Sequence, residues 1–280
     1  MRPRPANGRP LAILALLGAL ALAGCQSTGP ALDMTRIEAE QGTEENISSL
    51  SAVIARNPRD ANAYNVRGSA YGKSGQYEQA IADFDQAIAL NPSLYQAYAN
   101  RALIRHYTGD DAAALQDYNR ALQINPSYDG ALIGRGEIYR ENNRAQQALA
   151  DFQRAIEQGT TDPRAYYGRG LLYQTSRQHT FAIEDFATAI SLAPREPHGY
   201  NGRGVSYMAL GDDENAAADF NTAIKLDKTN AEGWAMQAAL LERRGEFDRA
   251  ARSYAEALKH DPNHTIAKNG LERTRRAGRA

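Results

Sequence analysis

The chain has 280 residues, 42% of them apolar and 23% charged, with a formal net charge of −1. That near balance gives no electrostatic drive toward nucleic acid, and the apolar content suffices for a buried core. The only cysteine is Cys25, so no intramolecular disulfide can form.

Residues 1–24 read as an export signal: Arg2, Arg4 and Arg9 precede an apolar run of 13 residues, 11–23. The run is shorter than the roughly 17–25 residues that a membrane-spanning helix needs. It ends in Leu22-Ala23-Gly24-Cys25, which resembles the lipobox of bacterial lipoproteins. The resemblance implies cleavage before Cys25, a palmitate-type lipid on its sulfur and acylation of its new amino group. Several acyl chains hold a protein at a membrane where one does not. Gln26, rather than Asp, follows the cysteine, which by the same resemblance implies the outer membrane and a periplasmic body. Residues 25–45 form the lipidated cysteine and a flexible tether, with Gly29, Pro30 and Gly42 as breakers. Residues 46–60 read as an N-terminal capping helix or half repeat with Leu50, Val53 and Ile54 as its apolar stripe.

From Ala61 onward the chain repeats every 34 residues without insertion or deletion: 61–94, 95–128, 129–162, 163–196, 197–230 and 231–264. A fixed period of this size predicts stacked helical hairpins in which each unit touches chiefly its neighbours. The eighth residue is always Gly or Ala, and the twentieth and twenty-seventh are always Ala. The twenty-fourth is aromatic in every copy (Phe84, Tyr118, Phe152, Phe186, Phe220, Tyr254), supplying bulk beside positions where backbones can approach closely. Between the two helices of each copy stands a residue suited to positive φ, namely Gly75, Gly109, Asn143, Gly211 or Gly245. Only Arg177 breaks that series. Pro92, Pro126, Pro194 and Pro262 stop second helices, but repeat three ends Gln158-Gly159-Thr160-Thr161-Asp162 without one. Departure from regular geometry is therefore expected between about 156 and 180. Residues 265–280 continue the frame as a C-terminal capping helix and basic tail.

The pattern resembles the tetratricopeptide repeat over six copies. The resemblance implies an all-α fold, a right-handed superhelical solenoid of antiparallel helix pairs whose first helices line the concave face. It places the fifth, ninth, twelfth and thirteenth residues of each copy in a partner-binding groove: Asn65, Ser69 and Lys73; Leu103, His106 and Tyr107; Ile133, Glu137, Arg140 and Glu141; Tyr167, Leu171 and Gln174; Asn201, Val205 and Met208. Apolar and aromatic groups among a few donors are the composition of a surface that binds protein or peptide.

Comparing the copies with one another exposes a charge pair. The seventh residue is Arg67, Arg101, Arg135, Arg169 or Arg203, and the twenty-third of the same copies is Asp83, Asp117, Asp151, Asp185 or Asp219. Repeat six loses both together, to Gln237 and Ser253, which predicts pairing within a repeat. None of the five histidines (His106, His179, His198, His260, His264) sits in a catalytic or metal-ligand motif, and no phosphate loop or nucleophile elbow is present. The expectation is a non-catalytic scaffold without cofactor or metal, binding protein or peptide partners in the periplasm and the membrane through Cys25. The resemblance makes a homodimer plausible, although nothing in the sequence itself supports one. The layout of lipobox, tether and repeats resembles NlpI-type outer-membrane lipoproteins, implying an adaptor that recruits a periplasmic protease or cell-wall hydrolase. A pilus or secretion-system assembly lipoprotein fits the same layout.

Overall fold

The computed structural model describes residues 44–277. Cys25, the signal and most of the tether lie outside the described residues. Every element described below belongs to one compact unit. It is built of helices alone among the described residues: α1 (Glu44–Arg56), then six pairs, then α14 (Thr265–Ala277). The pairs are α2 (Ala61–Lys73) with α3 (Tyr77–Leu90), α4 (Tyr95–Tyr107) with α5 (Asp111–Ile124), and α6 (Asp129–Glu141) with α7 (Ala145–Glu157). Then follow α8 (Pro163–Thr175) with α9 (His179–Leu192), α10 (Pro197–Leu210) with α11 (Asp213–Leu226), and α12 (Ala231–Arg243) with α13 (Phe247–His260).

Each first helix closes on a left-handed residue because the chain must reverse within three residues. The amide of Gly75 donates to the carbonyl of Gly72 and that of Gln76 to Tyr71, so the last carbonyls of α2 stay paired. Arg177 is a correction to the expected break: it adopts φ 61° and closes α8 with the same two bonds, Arg177 to Gln174 and Gln178 to Tyr173. A non-glycine residue there costs about 1–2 kcal/mol, and the packed helices on both sides hold it in place.

The aromatic at the twenty-fourth position is the bolt of the stack. Phe152 is fully buried, lying between Gly136 of its own repeat and Gly168 of the next. A Cβ at either glycine would stand 2.9 or 2.5 Å from the ring. Phe186 fits the same way between Gly170 and Gly202. The sixth residue of a repeat thus matters as much as the eighth.

All five Arg–Asp pairs close within a repeat. Nε and Nη2 of each arginine donate to the two carboxylate oxygens at 2.6–2.8 Å, a bidentate fork. The five carboxylates are buried. Tyrosine rings flank the guanidiniums, Tyr64 and Tyr71 around Arg67, Tyr200 and Tyr207 around Arg203. In repeat six Ser253 Oγ donates to Gln237 Oε1 at 2.9 Å, a neutral bond in place of the ion pair. The remaining Nη1 crosses to the previous repeat: Arg67 to Ser51, Arg101 to Asp85, Arg135 to Asn119.

Joints between repeats come in two kinds. Asn91, Asn125, Asp227 and Asp261 accept from the amide two residues on, an Asx turn that redirects the chain after the second helix. Repeats three and four have Gly159 and Ala193 at that position. Gly159 takes φ 80°, α7 ends one residue early, and the buried Thr160 Oγ1 donates to Asp129 Oδ2 at 2.7 Å. The departure is confined to this joint and the next, and α8 itself is a regular helix of 13 residues.

Candidate functional site

Side chains three and four apart share one face of a helix. On the first helices that face opens into three cavities joined by common walls. The first, about 500 Å³, lies over Ser69, Lys73, Tyr77, Asn100, Leu103 and Tyr107. Leu103 and Tyr107 are shared with a second of about 360 Å³, which continues over His106, Glu137, Arg140, Glu141, Arg164 and Tyr167. Glu137, Arg164 and Tyr167 are shared in turn with a third of about 550 Å³, walled by Asp162, Pro163, Ala189, Ile190, Ala193, Glu196, His198 and Gly199. The result is one groove from repeat one to the start of repeat five.

Tyr107 is the most exposed large hydrophobic side chain along it, at 71%, and its ring stacks on Tyr77 at 6.3 Å. Beside them Asn100 donates to Asn65 Oδ1 and Ser69 Oγ, tying α4 to α2. His106 stands between two carboxylates from different helices, Asp111 at 2.7 Å and Glu141 at 3.4 Å. Hydrogen bonds from His106 and then Asn142 hold the Asp111 carboxyl below the usual range. Further along, burial pushes Asp162 up, but the bonds from Arg164 outweigh it and leave that carboxyl below its ordinary value. Asp162 caps α8 through the Arg164 amide at 2.9 Å and accepts from the same guanidinium at 2.6–3.1 Å. Glu137 is pushed up by burial, for its nearest cation is Arg164 at 4.0 Å. Burial also raises the Tyr167 hydroxyl, whose ring lies 5.7 Å from Phe186 and 6.3 Å from His198.

Of the residues expected in a groove, Ser69, Lys73, Leu103, His106, Tyr107, Glu137, Arg140, Glu141 and Tyr167 line these cavities. Ile133 and Asn201 are corrections. Ile133 is wholly buried, because Gly134 lets α6 settle onto Tyr118 and encloses the side chain beside it. Asn201 is 5% exposed: its Nδ2 donates to Asn230 Oδ1, and Gly233 brings the start of α12 against it. Gln174 is committed to the fold, donating to the Gly202 carbonyl and Ser206 Oγ at 2.9 Å. Val205 and Met208 pack on the core of repeats five and six, and Leu171 lines none of the three cavities. Asn65 is engaged by Asn100.

Sequence reasoning missed Arg164 and His198 as groove residues, both second in their repeats. The available signal was helical period: the second residue precedes the fifth and ninth on the same face. Among the described residues no three His, Cys, Asp or Glu side chains converge as metal ligands would, and no helix is long and apolar enough to cross a membrane.

Models of the tetratricopeptide repeat match residues 61–94, 95–128, 163–196, 197–230 and 231–264, and a further repeat model matches 136–176. The chain belongs to the tetratricopeptide repeat family. The tetratricopeptide match across 136–176 starts inside α6 and ends at Ser176, spanning the proline-less joint out of phase with the others. No curated protein matches the sequence. Among solved structures, Cut9–Hcn1 of an APC/C hetero-tetramer superposes with a TM-score of 0.77 at 16% identity over 86% of this chain; the chain spans 48% of that one. PilF of Pseudomonas aeruginosa gives 0.68 at 20% identity, over 78% of this chain and 100% of PilF. PilW, described as a widely conserved type IV pilus biogenesis factor, gives 0.67 at 20%, over 75% and 98%. These likenesses are of fold. A tetratricopeptide solenoid of this kind is a scaffold for protein–protein interaction.

Proposed function

We propose that the chain is a lipid-anchored scaffold of the bacterial envelope that holds an extended segment of a protein partner along the groove from Ser69 to Gly199. The observation that carries this is the continuity of three cavities beside an aromatic pair, Tyr77 and Tyr107, of which Tyr107 is 71% exposed. Exposed aromatics beside apolar pockets are what protein interfaces use as anchors. The lipobox ending at Cys25, followed by Gln26, supports an outer-membrane address and a periplasmic body. On this reading the scaffold brings a periplasmic protease or cell-wall hydrolase to its substrate.

A second reading, an assembly factor for a pilus or secretion apparatus, draws support from the likeness in fold to PilF and PilW, whose solved chains are covered to 100% and 98%. In-cell crosslinking with mass spectrometry, on the wild type and on Tyr107→Ala/Tyr167→Ala, tests both. Loss of a protease or hydrolase from the double variant supports the adaptor, and loss of pilus or secretin subunits supports the assembly factor. Identical partners from both proteins would refute the groove. Separately, Cys25→Ala is expected to move the protein from the membrane to the soluble fraction, and unchanged fractionation would refute the anchor.

A further inference from the structure

The largest of the three cavities differs from the other two in what its walls leave uncommitted. Its floor is apolar, made by Ala189, Ile190 and Ala193 with the Tyr167 ring. Its volume of about 550 Å³ lies within the ~300–1,000 Å³ of ligand-sized pockets. Arg164, the only arginine on the wall, commits Nε and Nη2 to Asp162 through three contacts and leaves Nη1 4.0 Å from Glu137, so one guanidinium faces three carboxylates there. The acids are otherwise placed. Glu137 is half-buried, accepts no hydrogen bond from the described residues, and has its nearest cation 4.0 Å away. Glu196 stands at the N-cap of α10 and makes no capping bond with its side chain. An apolar floor between two uncommitted carboxylates selects by charge as well as by shape.

Resting on the groove reading, we propose that this cavity takes an apolar side chain of the partner whose neighbouring residue is Lys or Arg, with the cation meeting Glu137. The cation supplies the hydrogen bonds that Glu137 lacks, and the apolar side chain covers Ile190 and Ala193.

The test is to pan phage-displayed random 12-residue peptides on the full chain, resynthesise the strongest binder with a fluorescein label, and measure its affinity by polarisation. Enriched peptides are expected to pair Leu, Ile, Met or Phe with an adjacent Lys or Arg. Glu137→Gln, which preserves shape, should weaken the binder at least 5-fold and remove most of its salt dependence. Replacing the peptide's cation by Gln should cost the same, with no further loss when both changes are combined. Ala193→Trp, checked for unchanged thermal unfolding, should abolish binding by filling the cavity. Enriched peptides that are acidic, or that bind Glu137→Gln and Ala193→Trp as tightly as the wild type while losing affinity for Tyr107→Ala, would overturn the proposal and leave the groove standing. Failure to enrich any peptide, together with crosslinked partners unaffected by Tyr107→Ala/Tyr167→Ala, would overturn both.

Discussion

Asp151→Ala removes one partner of a pair that the fold half encloses. Arg135 presents Nε and Nη2 to that carboxylate at 2.8 and 2.7 Å and Nη1 to Asn119 at 2.6 Å, beside the Tyr139 ring at 5.8 Å. The arginine side chain is 19% exposed and the aspartate 8%, so water reaches the vacated donors only in part. Hydrogen bonds to charged groups contribute about 1.5–3 kcal/mol each, and breaking one side of a buried pair costs about 3–5 kcal/mol. Partial solvent access places the loss near the lower bound, about 3 kcal/mol. Arg135→Met/Asp151→Leu leaves nothing unpaired and should cost about 1 kcal/mol or less, since a packed apolar pair can replace a buried ion pair.

A double-mutant cycle on Arg135→Met and Asp151→Leu, in which either change alone costs about 3 kcal/mol and both together about 1, should accordingly give a coupling of about 5 kcal/mol. Repeat arrays open in segments, so a single global unfolding curve is the wrong readout. Hydrogen exchange resolved to α6 and α7 is the direct one. Trp234, the only tryptophan, reports repeat six and should be left unmoved. Additive single variants, or an Asp151→Ala cost below about 0.5 kcal/mol, would place the pair with ordinary surface ion pairs. The recurrence of the motif would then reflect descent of the copies from one ancestor.

Gly168→Ala would put a Cβ 2.5 Å from Phe152 while Gly136 blocks the ring's retreat, so a loss of about 2–3 kcal/mol in the hydrogen-exchange stability of α7 and α8 is expected, and unchanged protection there would disprove the bolt. Arg177→Gly should stabilise by about 0.5–1 kcal/mol, because it relieves a left-handed non-glycine residue at the cost of some unfolded-state entropy. Glu242 accepts two bonds from Arg273 at 2.9 Å, chiefly these hold its carboxyl below the ordinary range, and its contribution is therefore complete above pH ~4.3 and lost as the pH falls through the lowered value. Amides of α14 should lose exchange protection over that acid interval, and Arg273→Gln should remove most of the pH step, leaving the part held by the Tyr254 hydroxyl. Glu137 has the opposite sign: its raised value means that the charged carboxylate opposes folding above that value, so Glu137→Gln should melt at or above the wild-type temperature at neutral pH.

What could be read in the sequence is whatever recurs. The fixed 34-residue period aligns the copies, and the twenty-fourth aromatics, the alanines and the Arg–Asp columns all fall on contacts made six or five times over. Groove depth does not recur. Ile133 and Tyr167 hold the same position in adjacent repeats, yet one is wholly buried and the other lines two cavities, because Gly134 lets α6 sink onto Tyr118. Arg164 escaped notice because its column reads Asn62, Gln96, Gly130, Arg164, His198, Glu232, with no chemistry in common. Arg177 misled for another reason: backbone conformation at a reversal is imposed by the helices on both sides, and side-chain preference only modulates its cost.

Repeat four is where two of the recurring polar links between repeats are missing. Arg67, Arg101 and Arg135 each reach back to the previous repeat through Nη1, and Gln237 does so to Asn221, but Arg169 faces Gln153 and Arg203 faces Ala187, and neither makes that bond. The Asx turns are missing at the same two joints, and the buried apolar clusters stop on either side, one ending at Ala165 and the other beginning at Ala216. What joins repeats three, four and five is close backbone approach over Gly168 and Gly202, with Gln174 bridging α8 to α10. Small residues do two things at once: they bring backbones together and they leave room beside them, and the largest cavity of the groove opens here, with Ala193 and Gly199 in its wall. The proposed segment, seated against Ile190 and Glu137, would touch α6, α8, α9 and α10 together and add contacts across both joints. Under that proposal, binding there is expected to raise amide protection in α8 and α9, and whatever stiffening the partner brings must raise its own affinity by the same factor.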